Sequence, residues 1–495
     1  MRTSCRGTDA ISLKKTLKRV YKNVHCSFGT NVKIKSCTAE PEDVRPGDLF
    51  FALPEQEDFE ESVGLAIHRG CCAVVAEKPT NGAEKIPFFV VPNVGECYAA
   101  VCHALNDEPA RSMKMIGITG TSGKTSTSYL ISGVLAEAGY QVGLIGSLGI
   151  FDGQMFHPAT DADLSPPQFT AWLHKMMING CTHVIVEAPS QMIAKGYLGG
   201  IKFDAICLTN VRRDHLDFHK TVEQYRLSKL GIFRYAKKKA LAICNIDDRI
   251  TEALIPLIDQ PMLSVGIRNY AEVGSTLVER CASEQTFIVT VGTEAVPYQT
   301  KMIGDAHIYN CLVATALGIG LDIDIKTIAR GVSRVENVPR RMERIECGQD
   351  FNVYIDSART VDSLVAVLRT AREVTAGRLI CVFGAAAYHE QERRTALAKA
   401  LESHSDTVIL TSASDYLDTE SAMAACDIGR NFTSERATNV VPDRAEAMAL
   451  GLSEARSGDT VLIIGHGMPV ESAAFCDHLF TKQWLYENQS CCSMP

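Results

Sequence analysis

Short apolar runs alternate with helix-spaced segments along the whole chain, and the character of that alternation changes from region to region. Up to about residue 105, runs such as Asp48-Leu49-Phe50-Phe51-Ala52-Leu53 and Ala73-Val74-Val75-Ala76 accompany one helix-like stretch near 60–69, the pattern of a small α/β domain. The polar run Asn106-Asp107-Glu108-Pro109-Ala110-Arg111-Ser112 reads as a linker. Between 115 and 250, strand-like runs at 141–146, 182–187, 204–209 and 240–244 alternate with helical spacing at 125–138, 167–178 and 221–235. That alternation predicts a parallel sheet covered by helices. Residues 262–303 are β-rich, as in Gln285-Thr286-Phe287-Ile288-Val289-Thr290-Val291, and predict antiparallel hairpins followed by helices at about 306–320 and 325–333. From Asn352 the pattern resets, with strands at 352–356, 378–383, 407–411 and 459–464 and helices at 360–373, 390–403 and 443–456. The predicted fold class is α/β in three domains, 1–111, 112–337 and 338–495, with no solenoid repeat and no low-complexity tract.

Composition narrows the function without naming it. A chain of 495 residues exceeds what one core supports, in keeping with several domains. Its 46% hydrophobic and 22% charged residues describe an ordinary globular protein. A net charge of -8 argues against a surface built to wrap nucleic acid or bind anionic lipid, so any basic site is local. The 18 cysteines are scattered, apart from the adjacent pairs Cys71-Cys72 and Cys491-Cys492, with no C-x-x-C pair, which predicts reduced thiols and a cytoplasmic location. No apolar stretch approaches the roughly 18 residues a membrane span needs. The basic start (Arg2, Arg6, Lys14, Lys15, Lys18, Arg19, Lys22, with Asp9) lacks the apolar core of a secretion signal and reads as a solvated amphipathic helix, with an organellar transit segment as the alternative. Oligomeric state has no signature here.

The first chemical signal is Ile116-Gly117-Ile118-Thr119-Gly120-Thr121-Ser122-Gly123-Lys124-Thr125, a strand, a glycine-containing turn and a helix opening at Lys124. Backbone N–H groups and the helix N-terminus would hold phosphate oxygens, Lys124 would reach the terminal phosphates, and the Thr125 hydroxyl would ligate Mg²⁺. The usual motif wants glycine at 118, where this chain has Ile. Glu187 closes the run Val184-Ile185-Val186, and Ala205-Ile206-Cys207-Leu208 ends in Thr209-Asn210-Val211-Arg212-Arg213-Asp214-His215-Leu216-Asp217-Phe218-His219. A parallel sheet would bring both strand ends beside the phosphate loop, where carboxylate and imidazole groups could serve Mg²⁺. Taken singly, a strand-end Glu is a turn residue and an Asp-His pair a helix cap; the phosphate loop is what weighs against those readings. Tyr225, Lys229 and Phe233 share one helix face, and a lysine between two aromatics ordinarily reads as a snorkelling surface residue.

In order and spacing these segments resemble the Mur ligases. The resemblance runs through Thr119–Thr125, Glu187, Thr209-Asn210, Asp214–His219, Tyr225 to Lys229, Asn245-Ile246-Asp247-Asp248, Asn310, Arg341-Met342-Glu343-Arg344 and Asp356. It extends to Val44-Arg45-Pro46-Gly47-Asp48-Leu49-Phe50-Phe51-Ala52-Leu53 in the first domain, and the shifted glycine of the phosphate loop is normal for the family. It is strongest to the branch that adds the third residue of the peptidoglycan stem. The resemblance implies a UDP-sugar-binding first domain, an ATP-binding central domain and a Rossmann-like amino-acid-binding third domain. It implies that ATP phosphorylates a UDP-N-acetylmuramoyl-peptide carboxylate and that an amino acid's amine attacks the acyl phosphate, chemistry of positioning and charge neutralisation. Gly120, Thr121, Ser122, Gly123, Lys124, Thr125 and Ser126 would cradle ATP, Asn310 would contact adenine, and Arg341 and Asp356 would reach ATP from the third domain on closure. Thr125 and Glu187 would hold one Mg²⁺ and His215 would help hold a second, with Lys229 matching the lysine that the family carbamylates. Lys124, Lys229 and His215 would then be catalytic, and Ser165 and Ser190 would touch the acceptor.

Departures fall on substrate recognition. The family's Asp-Ser-Arg near the uridine is Glu40-Pro41-Glu42, Thr-Thr-Pro is Leu164-Ser165-Pro166, Glu-Val-Ser-Ser-His is Glu187-Ala188-Pro189-Ser190-Gln191, and an arginine beyond it is Tyr197. In the third domain the counterparts are Asp356-Ser357-Ala358-Arg359-Thr360-Val361, Ala386-Ala387-Tyr388-His389, Ala413-Ser414-Asp415-Tyr416 and Gly465-His466-Gly467-Met468-Pro469. The arginine that would pair bidentately with a diaminopimelate carboxylate is absent, so the incoming amino acid does not carry over. Three readings follow: a third-step ligase with altered contacts, a ligase of the same family redirected to another carboxylate and amine, and a nucleotide-binding paralogue with little ligation. A folylpolyglutamate-type ligase fits poorly with the long segment before the phosphate loop, and a transport or switch NTPase leaves the third domain unexplained.

Overall fold

The computed structural model describes residues 3–4, 10–21, 25–26, 32–55, 58–80, 86–159, 164–386, 391–413, 419–433, 438–465 and 476–489. Of the motifs above, Ala387-Tyr388-His389, Ser414-Asp415-Tyr416, His466-Gly467-Met468-Pro469 and Cys491-Cys492 lie outside the described residues, as do Arg2, Arg6, Asp9 and Lys22. The architecture is mixed α/β with parallel-rich sheets. The chain divides into two units, residues 1–124 with 138–263, and residues 125–137 with 264–495.

The first unit opens with a six-stranded sheet in which Ser36–Thr38, Leu49–Phe51, Ala73–Ala76 and Phe88–Val90 run parallel, flanked by antiparallel Thr3–Ser4 and His25–Cys26. Leu49, Phe51 and Val75 face Val94, Tyr98 and Val101 of the helix Val94–Leu105, while Phe50 and Val74 meet Val63 and Ala66 of Phe59–His68. Both faces are thus covered, which is why these strands read as unbroken apolar runs.

The same unit holds a second sheet in which Val142–Gly146, His183–Glu187, Lys114–Thr119, Phe203–Leu208 and Ala236–Asn245 are parallel neighbours in that order. An antiparallel hairpin, Gly149–Phe151 with Phe156–Pro158, extends its edge. The register pairs Glu187 with Ile118 and Leu208 with Thr119, so three strands end level with one another just before Gly120, Ala188 and Thr209. The helical stretch expected at 221–235 is an α-helix only over Val222–Leu230 and tightens to a 3₁₀ turn over Gly231–Tyr235, where Gly231 weakens the helix.

In the second unit the helix from Lys124–Glu137 packs on Ile325–Ser333. A Cβ on Gly133 would stand 2.7 Å from the Gly331 carbonyl oxygen, and one on Gly331 would stand 2.6 Å from the Val134 Cα, so only glycine permits this approach. Glu137 adds an ion pair to Arg330 at 2.8 Å. Val273–Arg280, Gln285–Val291 and Glu294–Thr300 form the expected antiparallel meander. Met262–Gly266 differs from the hairpin expectation: Val265 pairs in parallel with Val273, because the intervening loop returns the chain to the same end of the sheet.

The last sheet of this unit has the order Glu343–Ile345, Asn352–Asp356, Thr460–Ile464, Leu379–Ala385, Thr407–Ser412, Thr438–Val440. Its first pair is antiparallel and the rest are parallel. The helices Thr419–Gly429 and Asp477–Gln489 were not legible in the apolar pattern. Beside the carboxyl ends of its strands, Arg444 and Asp477 form a bidentate pair at 2.8 and 2.7 Å, each side chain 2% exposed. Removing one partner of such a pair strands a buried charge. Asp477→Ala is therefore expected to lower stability by about 3–5 kcal/mol, read as a lower denaturant midpoint in equilibrium unfolding; a shift under about 1 kcal/mol, the range of surface pairs, would contradict this account.

Candidate phosphate-transfer site

Gly120, with φ +151°, turns the chain out of the Lys114–Thr119 strand. A Cβ there would sit 1.9 Å from the Thr209 Oγ1, so the neighbouring strand end leaves room for glycine only. Asn210 then fastens the loop: its carbonyl accepts from Thr121 N at 2.9 Å, its Oδ1 accepts from Ser122 N at 3.0 Å, and its Nδ2 donates to Ser122 O at 3.0 Å. Thr209 Oγ1 donates to the same carbonyl at 2.7 Å. The Thr121 hydroxyl meets the Tyr225 hydroxyl at 2.9 Å and accepts from Arg212 N at 2.9 Å. Gly123, at φ +87°, leads into the helix that begins at Lys124. The loop is thus held from outside, leaving its shape independent of any phosphate it would bind.

Two lysines converge on it. Lys124 Nζ donates to Gly120 O at 2.9 Å and Thr121 O at 3.2 Å, and Lys229 Nζ donates to the same Gly120 carbonyl at 2.7 Å. Lys229 is 1% exposed, with its nitrogen 4.7 Å from the Tyr225 ring centroid. The snorkelling reading is therefore wrong: the aromatic face turns inward and carries the lysine with it. Burial, then the nearby Lys124 cation, holds the Lys229 pKa well below the ordinary lysine value, against the opposing effect of Asp214.

Glu187 ends its strand 5% exposed, and a Cβ on Gly146 would stand 2.3 Å from its Oε1. Its neighbours close the strand end, Ala188 N donating to Ile118 O at 2.8 Å and Thr119 Oγ1 to Ala188 O at 2.9 Å. His215 has φ 50°, a left-handed backbone that costs energy in a residue other than glycine and is often found at functional sites. Its Nδ1 meets Gln191 Nε2 at 2.9 Å and its Nε2 lies 3.5 Å from Asp214 Oδ2. Burial lowers the His215 pKa; Asp214 opposes this, and Lys124 and Lys229 add to it. His219, buried, meets the Ser190 hydroxyl at 2.9 Å, and burial with His215 and Lys229 lowers its pKa. Ser165 starts the helix Pro166–Ile178 in a capping box with Gln168, its N and Oγ at 2.9 and 2.7 Å from Gln168 Oε1.

The second unit carries the remaining predicted residues. Thr125 and Ser126 are buried in the first turn of their helix, and Arg341 Nη2 donates to Thr125 Oγ1 at 3.2 Å. Arg341 also donates to the Ser357 hydroxyl. It is flanked by Arg340 and Met342, with φ of 60° and 46°. Asp356 holds that strained turn, accepting from Met342 N at 2.8 Å and from Ala358 N at 2.7 Å. Burial raises the Asp356 pKa, with Arg341 and the two amides opposing. Asn310 Oδ1 accepts from Thr127 Oγ1 at 3.2 Å.

Sequence reasoning missed what Tyr225, Gln191 and His219 do, since each acts through a tertiary contact; only the unusual Gln191 in place of the resembled histidine pointed at that position. Among the described residues no group of three or more His, Cys, Asp or Glu is assembled for a metal ion. Thr125 in one unit and Glu187 in the other each offer an oxygen of the kind Mg²⁺ takes, one or two protein oxygens ordinarily joining phosphate oxygens and water. Among the described residues no helix is long and apolar enough to cross a membrane.

Residues 118–318 match the Mur ligase middle domain, and residues 340–467 match the Mur ligase glutamate ligase domain. The UDP-N-acetylmuramoyl-L-alanyl-D-glutamate–2,6-diaminopimelate ligase of Aquifex aeolicus is 32% identical over 439 residues, covering 88% of this chain and 89% of that one. The ligase of the same name from Syntrophomonas wolfei is 31% identical over 432 residues, covering 86% and 88%. A solved structure of a UDP-N-acetylmuramoyl-L-alanyl-D-glutamate–2,6-diaminopimelate ligase shares the fold with a TM-score of 0.68 at 21% identity, covering 97% of this chain and 99% of that one. Similarity carried along this much of the sequence, with the phosphate loop and its lysines inside the matched region, shows that the chain belongs to the Mur ligase family.

Proposed function

We propose that the chain is an ATP-dependent, ADP-forming amide ligase that joins an amino acid to the carboxylate of a UDP-N-acetylmuramoyl-peptide in peptidoglycan precursor synthesis, in the cytoplasm. The observation that carries this reading is the pair of lysines on the Gly120 carbonyl, one at the helix start and one buried. Their arrangement suits a site where phosphate charge is neutralised in turn on ATP, on the acyl phosphate and on released phosphate. In the reaction the acceptor carboxylate oxygen attacks the γ-phosphorus and ADP leaves. The amine then attacks the acyl carbon, and collapse of the tetrahedral intermediate expels phosphate as the amide forms. Loop amides from Gly120 to Ser126 cradle the phosphates, Lys124 follows the transferred group, Asn310 takes adenine, and Arg341, braced by Asp356, approaches from the third segment. Thr125 and Glu187 would hold Mg²⁺, which would supply positive charge to stabilise the phosphates. Ser165 and Ser190 contact the acceptor.

Burial and the Lys124 cation hold the Lys229 pKa well below the ordinary lysine value, which favours its neutral amine form. A neutral amine adds CO₂ with loss of a proton, giving a carbamate that would face Lys124 with opposite charge and could hold a second cation. A second reading, redirection to another carboxylate and amine, is favoured by Glu40-Pro41-Glu42 and by Tyr197 where acceptor contacts are expected.

Phosphate release from ATP is expected only when a suitable acceptor carboxylate is supplied; a panel of UDP-muramoyl-peptides and free amino acids, read by phosphate and product mass, tests this. No turnover with any UDP-muramoyl substrate would sink the first reading, and turnover with another carboxylate would establish the second. Lys124→Ala is expected to lower kcat by about 10²–10³-fold, the scale of losing one preorganised transition-state charge partner. Lys229→Ala is expected to lose most activity and to regain part of it with added formate or acetate. Since carbamate formation releases a proton, lowering pH should make wild-type activity increasingly dependent on added bicarbonate. Bicarbonate-independent activity, together with full activity of Lys229→Ala, would rule out the carbamate.

A further inference from the structure

His215 has neighbours on both ring nitrogens, and they assign its proton. Gln191 Nε2 lies 2.9 Å from Nδ1, and Asp214 Oδ2 lies 3.5 Å from Nε2. An amide NH₂ donates only, so Nδ1 accepts, while a carboxylate on the far side attracts a proton on Nε2. The Gln191 amide is oriented in turn by Ser190, whose hydroxyl donates to Gln191 Oε1 at 3.2 Å. With its proton committed to Gln191, the Ser190 oxygen accepts from His219 Nε2, 2.9 Å away. The result is a relay with one direction, His219 N–H to Ser190, Ser190 O–H to Gln191 and Gln191 N–H to His215, which leaves the His215 proton on Nε2, the side on which Asp214 lies. Ser228 Oγ donates to Ser190 O at 2.7 Å and fixes the backbone through which the relay passes.

We propose that Gln191 is a positioning residue that commits His215 to the Nε2–H tautomer, so that His215 acts in this chain as a hydrogen-bond donor to an anionic phosphate oxygen and not as a nitrogen ligand to a second Mg²⁺. With Nδ1 occupied and Nε2 protonated, the ring has no in-plane lone pair left for a metal. Mg²⁺ also prefers oxygen to imidazole. The backbone does not set the ring by itself: His215 is held in its left-handed conformation as the residue before the short helix Leu216–His219, with His219 N donating to its carbonyl at 3.0 Å. The side-chain partner decides which nitrogen is offered. Histidine at position 191, as the resembled motif has it, offers either a donor or an acceptor according to tautomer, whereas the Gln191 amide, once oriented by Ser190, offers a donor. The Ser190 oxygen keeps one lone pair beyond these two bonds, compatible with its proposed contact to the acceptor.

The assignment of a phosphate as the anion rests on the ligase reading; the tautomer does not, and it is measured without turnover. In full-length protein carrying ring-¹⁵N histidine, His215, identified by the signals lost in His215→Gln, is expected to show an unprotonated Nδ1 and a protonated Nε2. A protonated Nδ1 in the wild type would overturn the proposal. With Mn²⁺ and ADP bound, electron spin-echo spectra of the same labelled protein are expected to show no directly coordinated ¹⁵N. A coordinated ¹⁵N coupling that disappears in His215→Gln would also overturn it. Gln191→Glu preserves shape but places an acceptor at Nδ1, so it is expected to move the His215 proton to Nδ1 and free Nε2. Its Mn²⁺ affinity should then rise by about 10-fold or more, the scale on which partners behind a ligand tune a metal site. An unchanged His215 tautomer in that variant would show that Gln191 does not set it. Failure of the acceptor panel with the Nε2–H tautomer intact would remove the ligase reading and leave the relay standing.

Discussion

The unfavourable approach of two lysine nitrogens to one carbonyl is the constraint around which the first unit's site is arranged. Lys124 and Lys229 both donate to Gly120 O, and Lys229 does so while 1% exposed. Two ammonium groups so close, one without water, would repel strongly. Burial drives the Lys229 pKa well down, toward its neutral form, and the nitrogen is held by the Tyr225 ring and the Gly120 carbonyl. Everything nearby follows from the need to bring the carbonyl to the lysines: the level strand ends, the absent Cβ at 120, and the clamp that Thr209 and Asn210 place on the loop. A lysine cation beside a buried lysine held toward its neutral form makes a local field suited to negative charge, which is what a phosphoryl group brings.

Arg341 is handled by the same logic in the second unit. Its neighbours Arg340 and Met342 both adopt left-handed conformations, each costing on the order of 1–3 kcal/mol. Asp356, whose burial raises its pKa, offsets this by taking the backbone amides of Met342 and Ala358, and Glu343 takes the amide of Arg340 at 2.8 Å. The strain fixes where the guanidinium points, and it points to the hydroxyl of Thr125. Both units therefore spend stability to orient cations.

Legibility in the sequence followed the range of the interaction. The phosphate loop was readable because strand, turn and helix are consecutive and each leaves a local pattern. Glu187 and the Thr209–His219 cluster were readable as strand ends, because parallel order places such ends together. Lys229 was misjudged from its periodicity, since Tyr225, Lys229 and Phe233 at helical spacing look the same whether the face meets water or a core; only the packing of Val222–Leu230 against the loop decides. The 3₁₀ turn at Gly231–Tyr235 was hidden because apolar spacing continues through it. Thr419–Gly429 was hidden because its run of alanines offers little contrast between faces.

Gln191 marks the limit of reading by resemblance. As a departure from a motif it counts as erosion of substrate recognition; as an amide seated between Ser190 and His215 it selects among tautomers. The two views imply different histories for the site. Erosion predicts that hydrogen bonds near the change are left unmade, since a lost partner leaves its neighbours unsatisfied. Here the replacement completes a chain of donors in which Ser190 and Gln191 bond at both ends. A substitution that closes a network changes what the network does, and Gln191 is better understood as part of a completed set of hydrogen bonds than as an eroded position.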